Sequence, residues 1–94
     1  MKRYTKNPAI RSKIIDNELV LFNTETGDYY GLNEVGADIW EMIDGDNGLE
    51  GIVNRLTERY ETERPVLEAD AAEFIKALMD REIIYEITIS HDKD

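Results

Sequence analysis

Apolar residues recur along this chain in two rhythms, one with a period of two and one with a period near 3.6. The first third carries the shorter rhythm. Ile10 to Asp16 is anchored by Ile14 and Ile15, and Glu18 to Thr24 by Leu19, Val20, Leu21 and Phe22. Asp16-Asn17 between them tolerates the left-handed geometry of a two-residue turn. Glu25-Thr26-Gly27-Asp28 is the next turn, with Gly27 free to take positive φ. Tyr29 to Leu32 then reads as a third strand of good strand formers. Tight turns between consecutive strands predict an antiparallel meander with the second strand in the middle and Tyr29–Leu32 at an edge.

The helical rhythm starts without a loop. Asn33 is a good N-cap and Glu34 places a negative charge at the positive end of the helix. Val35, Ile39 and Ile43 share one face, with Gly36 and Trp40 beside them. This predicts a first helix over 33–43, ended by the breaker run Asp44-Gly45-Asp46-Asn47-Gly48. Leu49, Ile52, Val53, Leu56 and Tyr60 form the buried stripe of a second helix over 49–60. After the polar 61–65, Leu67, Ala71, Ile75 and Leu78 form the stripe of a third helix over 66–81. Asp70, Phe74, Ala77 and Arg81 lie in a row along its flank. Ile83 to Ile89 returns to alternation, with Ile83, Tyr85, Ile87 and Ile89 on one side. The predicted class is α+β, winged helix-turn-helix-like: a three-stranded antiparallel sheet, then three helices, with a C-terminal strand.

The chain has 94 residues, which fits one domain with a modest core. Residues 1–9 read as a flexible basic arm, 10–89 as a single domain and 90–94 as a frayed tail. Of 11 bases, Lys2, Arg3, Lys6, Arg11 and Lys13 precede the first acid, Asp16, and from there on 21 acids stand against six bases. A net charge of −10 argues against a nucleic-acid partner, which needs a basic face. There is no cysteine, so disulfides and thiolate metal sites are excluded. No apolar run approaches the roughly 20 residues of a membrane span, and Met1 to Arg11 lacks the apolar core of a signal peptide. Cytoplasm is the expected compartment, with no membrane partner.

Catalytic chemistry finds no residues to use. His91 is the only histidine, so neither a triad nor a histidine-ligated metal site can be assembled. The 44–48 run has the look of a calcium loop but fails on spacing: with Asp44 as first ligand, the twelfth position, due to be glutamate, is Arg55. Gly45 and Gly48 lack the Lys-Ser/Thr of a phosphate loop. No enzyme activity, metal or cofactor is expected.

Binding is a better fit. An edge strand beside a helix can accept an extended peptide as a further strand, with alternate side chains entering the groove between them. Tyr29, Tyr30 and Leu32 supply the strand. Phe74 and Ala77 floor the helix side, and Arg81 and Asp70 can pair with charges on the guest. Alternation puts Tyr30 and Leu32 on one face and Tyr29 on the other, so a tyrosine here can equally cover the core.

The run Y-Y-G-L-N-E-V-G-A-D-I-W, then a breaker, an amphipathic helix and a third helix ending A-L-M-D-R-E-I-I, resembles the PqqD family. These are small peptide chaperones of pyrroloquinoline quinone biosynthesis, related to the RiPP recognition elements of lasso-peptide and radical-SAM pathways. The likeness spans about Ile10 to Tyr85. It implies that the chain binds the leader segment of a ribosomally made precursor as a strand added to the third strand, against helix three. The leader is then presented to a modifying enzyme, a radical-SAM protein or a leader peptidase. Carried onto this chain, the site is Asp28, Tyr29, Tyr30, Gly31 and Leu32 with Asp70, Phe74, Ala77 and Arg81. The acidity of the chain implies that contact with an acidic leader rests on backbone and apolar pockets.

Two other readings compete. A winged-helix DNA-binding regulator fits the element order, but helix three carries Glu68, Asp70, Glu73, Asp80 and Glu82 against Lys76 and Arg81, a balance that repels phosphate. An oligomerising module would pair through the 83–89 strand, and monomer and homodimer both fit the sequence. That strand is also expected to fold back and cap an edge of the sheet when no peptide is bound.

Overall fold

The computed structural model describes residues 2–88, so His91, Ile89 and the predicted tail lie outside the described residues. Five strands and three helices follow one another as β1 (Lys2–Lys6), β2 (Ile10–Ile15), β3 (Glu18–Asn23), β4 (Tyr29–Leu32), α1 (Glu34–Glu41), α2 (Leu49–Arg59), α3 (Arg64–Asp80) and β5 (Ile84–Thr88). The predicted meander is present, with strand order β2-β3-β4. Ile15 pairs with Glu18, leaving Asp16 and Asn17 alone in the turn. Their φ values of 53° and 67° are the positive pair that a type I′ hairpin requires. The next turn is built on Asn23, whose buried side-chain oxygen accepts the backbone N–H of Glu25 at 2.9 Å and Thr26 at 3.2 Å. Gly27 closes it with φ 82°.

Leu19, Leu21 and Leu32 bury the inner face of this sheet against the helices. Ile39, Ile43, Ile52, Val53 and Leu56 fill the layer beneath, and Leu67, Ala71, Ile75 and Leu78 are the buried stripe of α3. Asn33 caps α1 as predicted, its Oδ1 accepting the Gly36 N–H at 2.7 Å. The Asp44 carboxylate is occupied in its own loop, accepting the backbone N–H of Asp46 at 2.9 Å and of Asn47 at 3.3 Å. The Asp46 bond foremost holds its carboxyl below the usual range. Helix α3 ends in paired bonds from Ile83 N–H to the Leu78 carbonyl and from Glu82 N–H to the Met79 carbonyl, each 2.9 Å. This is a Schellman stop, with Glu82 in the left-handed region at φ 58° and Ile83 and Leu78 both buried beside it.

The N-terminal arm is corrected by the structure. Lys2–Lys6 is a strand, antiparallel to β5, and the two form a separate sheet. Three features hold it. Tyr4 is buried, and its carbonyl accepts the Gly45 N–H at 2.8 Å. Lys6 places its ammonium 4.6 Å from the Trp40 ring centroid, a cation–π contact. Asn7, also buried, donates its backbone N–H to the Ile83 carbonyl at 3.0 Å and its side-chain amide to the Glu82 carbonyl at 2.9 Å. Close approach needs Gly48, because a Cβ there would collide with the Lys2 carbonyl oxygen. The expected capping of the main sheet by the C-terminal strand is likewise overturned: β5 takes β1 as partner, and Ile83 and Ile84 enter the core.

Helices α1 and α2 are tied through Asp38. Arg59 approaches it at 2.7 Å, and the Tyr60 hydroxyl donates to its other oxygen. That hydrogen bond, with burial and the carboxylate charge, pushes the Tyr60 phenol up to about 12.

Two outcomes are expected. Removing residues 2–7 exposes Tyr4's site and the end of α3, and should lower stability in urea denaturation by at least about 2 kcal/mol; a freely moving arm would leave the midpoint unchanged. The folded-state pKa of Tyr60 lies above its unfolded value, so its contribution to stability is complete below pH 10 and is lost as pH rises towards 12. Absorbance titration should show a late tyrosinate step that moves down towards 10 in Asp38→Ala, and an unmoved step would place the cause elsewhere.

Candidate functional site

Strand β4 is an edge: among the described residues its only strand partner is β3. The pairs are Phe22 with Tyr29, Leu21 with Tyr30, Val20 with Gly31 and Leu19 with Leu32. The Asn23 N–H bonds the Asp28 carbonyl at 2.9 Å, which sets the phase of the ladder. Hydrogen-bonded and non-bonded pairs alternate in an antiparallel ladder. Tyr30 and Leu32 therefore turn their N–H and C=O groups to β3, while Tyr29 and Gly31 turn theirs outward. Side chains agree with this phase: the Phe22 and Tyr29 rings meet at 4.8 Å between centroids, as close side chains in a non-bonded pair should. Two donors and two acceptors are left on the open edge.

The nine residues singled out from sequence divide into three groups. Tyr29 and Gly31 carry the outward backbone, and Tyr29 is 68% exposed. Tyr30 covers the core, half-buried, with the Arg81 guanidinium 5.6 Å from its ring centroid. Leu32 is buried at 6% and commits its backbone to β3, so it offers a guest nothing directly. Asp28 is engaged by the turn, its carbonyl by Asn23 and its carboxylate by the Thr26 hydroxyl at 3.0 Å. Asp70, Phe74 and Ala77 line one groove with residues of α1, and Arg81 sits apart from it against Tyr30.

That groove has a volume of about 610 Å³ and runs between α1 and α3, from Asn33 at the end of β4 to Tyr60 and Thr62. Its floor is Val35, Ile39, Leu67 and Phe74, and its acidic rim is Asp70 and Glu73. Gly36 shapes it. A Cβ on Gly36 would lie 3.2 and 3.3 Å from two Phe74 ring carbons, closer than ordinary contact, so the glycine lets the ring rest on α1. Sequence reasoning placed Gly36 only beside the apolar face; a glycine inside an otherwise helical pattern was the available signal for a close approach. A second hollow, about 550 Å³ between α2 and α3, shares no lining residue with β4 or with this groove.

The site is thus an unfinished ladder that leads into an apolar groove, with Arg81 near the strand and two carboxylates at the far rim. Arg81 has no ion-pair partner among the described residues. No group of three or more metal-ligating side chains occurs among the described residues. Nor is any helix there long and apolar enough to cross a membrane. The geometry suits a polypeptide in extended form.

Comparison with known proteins agrees. No curated protein matches the chain. Two solved structures do. The first, TbiB1 in complex with the TbiA(beta) leader peptide, is 35% identical with a TM-score of 0.76, over 85% of this chain and 93% of that one. The second, a lasso peptide synthetase B1 complexed with the leader peptide, is 25% identical with a TM-score of 0.79, over 88% of this chain and 98% of that one. Residues 18–84 match the family model of coenzyme PQQ synthesis protein D. With β2–β3–β4 followed by α1–α3, and with its groove beside an open strand, the chain belongs to the PqqD family.

Proposed function

We propose that this chain binds the leader segment of a ribosomally synthesised precursor peptide as a strand added to β4, and holds it for a modifying enzyme without itself catalysing a reaction. The single observation behind this is the pair of outward-facing residues, Tyr29 and Gly31, on an edge that continues into the α1–α3 groove. Family membership, and leader peptides seated on two similar chains, support the same reading. A radical-SAM protein or a leader peptidase is the kind of enzyme that would receive the peptide, in the cytoplasm where precursors are made.

Magnitudes divide the labour between edge and groove. Four backbone hydrogen bonds contribute about 1 kcal/mol each, while ordering the guest costs about 1–2 kcal/mol per residue. The edge alone therefore sets register and direction but not affinity. An apolar side chain buried in the groove contributes about 1.5–3 kcal/mol, so one or two such anchors on Phe74 and Val35 decide whether the guest stays. Arg81, held by Tyr30, is placed to meet a carboxylate on the guest, and Asp70 a base. A DNA-binding role for α3 is disfavoured by charge: Glu68, Asp70, Glu73 and Asp80 outnumber its basic residues, and phosphate would be repelled.

Fluorescence anisotropy with labelled synthetic leader peptides tests the reading, using those of precursors encoded near the chain's gene and the TbiA(beta) leader for comparison. Saturable binding is expected. Phe74→Ala should weaken it roughly tenfold, and Gly36→Ala, by displacing the same ring, should weaken it with a smaller loss of stability. Lys76→Ala, on the far face of α3 and paired with Asp80 at 3.1 Å, should leave it unchanged. Equal affinities across all three variants would remove the groove from the site.

A further inference from the structure

The outer face of the sheet holds a second specificity element, and this inference rests on the strand-addition reading above. Residues directly opposite one another in a ladder share a face. A guest residue paired with Gly31 therefore points to the outer face, and its neighbours on either side point to the groove. On the outer face Gly31 presents no side chain. In that space lies the Glu18 carboxylate, whose Oε1 is 3.6 Å from where a Gly31 Cβ would stand. Glu18 opens β3 directly after the type I′ turn, opposite Ile15, and its residue is exposed. Its carboxylate holds no hydrogen bond or ion pair among the described residues. Lys13, the nearest base across the same face, sits opposite Val20 and does not pair with it.

We propose that Glu18 selects a lysine or arginine at the guest position facing Gly31. The guest Cβ would stand about 5.5 Å from the Gly31 position, and a long basic side chain spans the remainder across a surface with no side chain in the way. Any residue larger than glycine at position 31 would stand between the two charges. The two faces of the guest are then read separately: apolar side chains by the groove, and one positive charge by Glu18.

A library of random 16-residue peptides, displayed on mRNA, is selected against the full chain and against Glu18→Lys. Wild-type binders should share Lys or Arg at one position of the aligned strand, and Glu18→Lys should replace that preference with Asp or Glu. For a selected basic peptide, Glu18→Gln should weaken binding about two- to fivefold, as expected for an exposed ion pair, and Glu18→Lys by roughly tenfold. The chain contains no cysteine, so register is read by disulfide trapping. Gly31→Cys should trap a peptide with Cys at the basic position and not one with Cys a residue away. Binders whose charge preference is the same on wild type and Glu18→Lys, or trapping at a different position, overturn the subsite while leaving strand addition standing. A library that yields no binder to the wild-type chain overturns strand addition, and the subsite with it.

Discussion

The antiparallel ladder between β3 and β4 constrains everything that matters for function. Once the Asn23 turn sets its phase, β4 has no freedom left. Tyr30 and Leu32 must face inward, backbone to β3 and side chains to the core, and Tyr29 and Gly31 must leave their backbone groups to water. A one-residue slip would put Leu32 in solvent and Gly31 over the core, so hydrophobic burial defends the same register. An open edge is normally a hazard. Here it is only four residues long, it abuts helix α1 through the Asn33 cap, and the surrounding surface carries strong negative charge. Those features limit indiscriminate pairing while keeping one short stretch available.

The second support is the β1–β5 ribbon. Its role is to finish α3. Asn7 binds the carbonyls of Glu82 and Ile83 just beyond the Schellman stop, which fixes where the last turn of α3 ends and so where Arg81 meets Tyr30. Gly48 and Gly45 allow the ribbon to lie directly on the α1–α2 loop. Basic residues at the chain start, read along the sequence as a mobile arm, are in fact laid onto Trp40 and along the acidic body. Their charge serves the fold as well as the surface.

Local chemistry made much of this legible. The two-residue Asp16-Asn17 turn, the Asn33 cap and the 3.6-residue stripes of α2 and α3 are short-range signals, and the structure has them within one or two residues of their expected bounds. The row Asp70, Phe74 and Ala77 followed from helical spacing alone. What escaped was long-range. Lys2–Lys6 has one buried apolar residue, Tyr4, and its partner strand is some 80 positions away, so no local periodicity could mark it. Gly36 escaped as a groove residue because its meaning lies in a ring on another helix. The roles within β4 could be divided only after the ladder's phase was known, since Leu32 and Gly31 are equally plausible edge residues until one is seen to bond inward.

The central claim is that Tyr29 and Gly31, and not Tyr30 and Leu32, complete a ladder with a guest strand. Residue-resolved amide hydrogen exchange, with and without a saturating leader peptide, addresses it directly. In the free chain, Tyr30 and Leu32 should already be protected by β3 while Tyr29 and Gly31 exchange fast. With peptide bound, protection should appear at Tyr29 and Gly31 and change little at the other two. Bound peptide that leaves Tyr29 and Gly31 exchanging as fast as before, or protection at both in the free chain, would contradict the account.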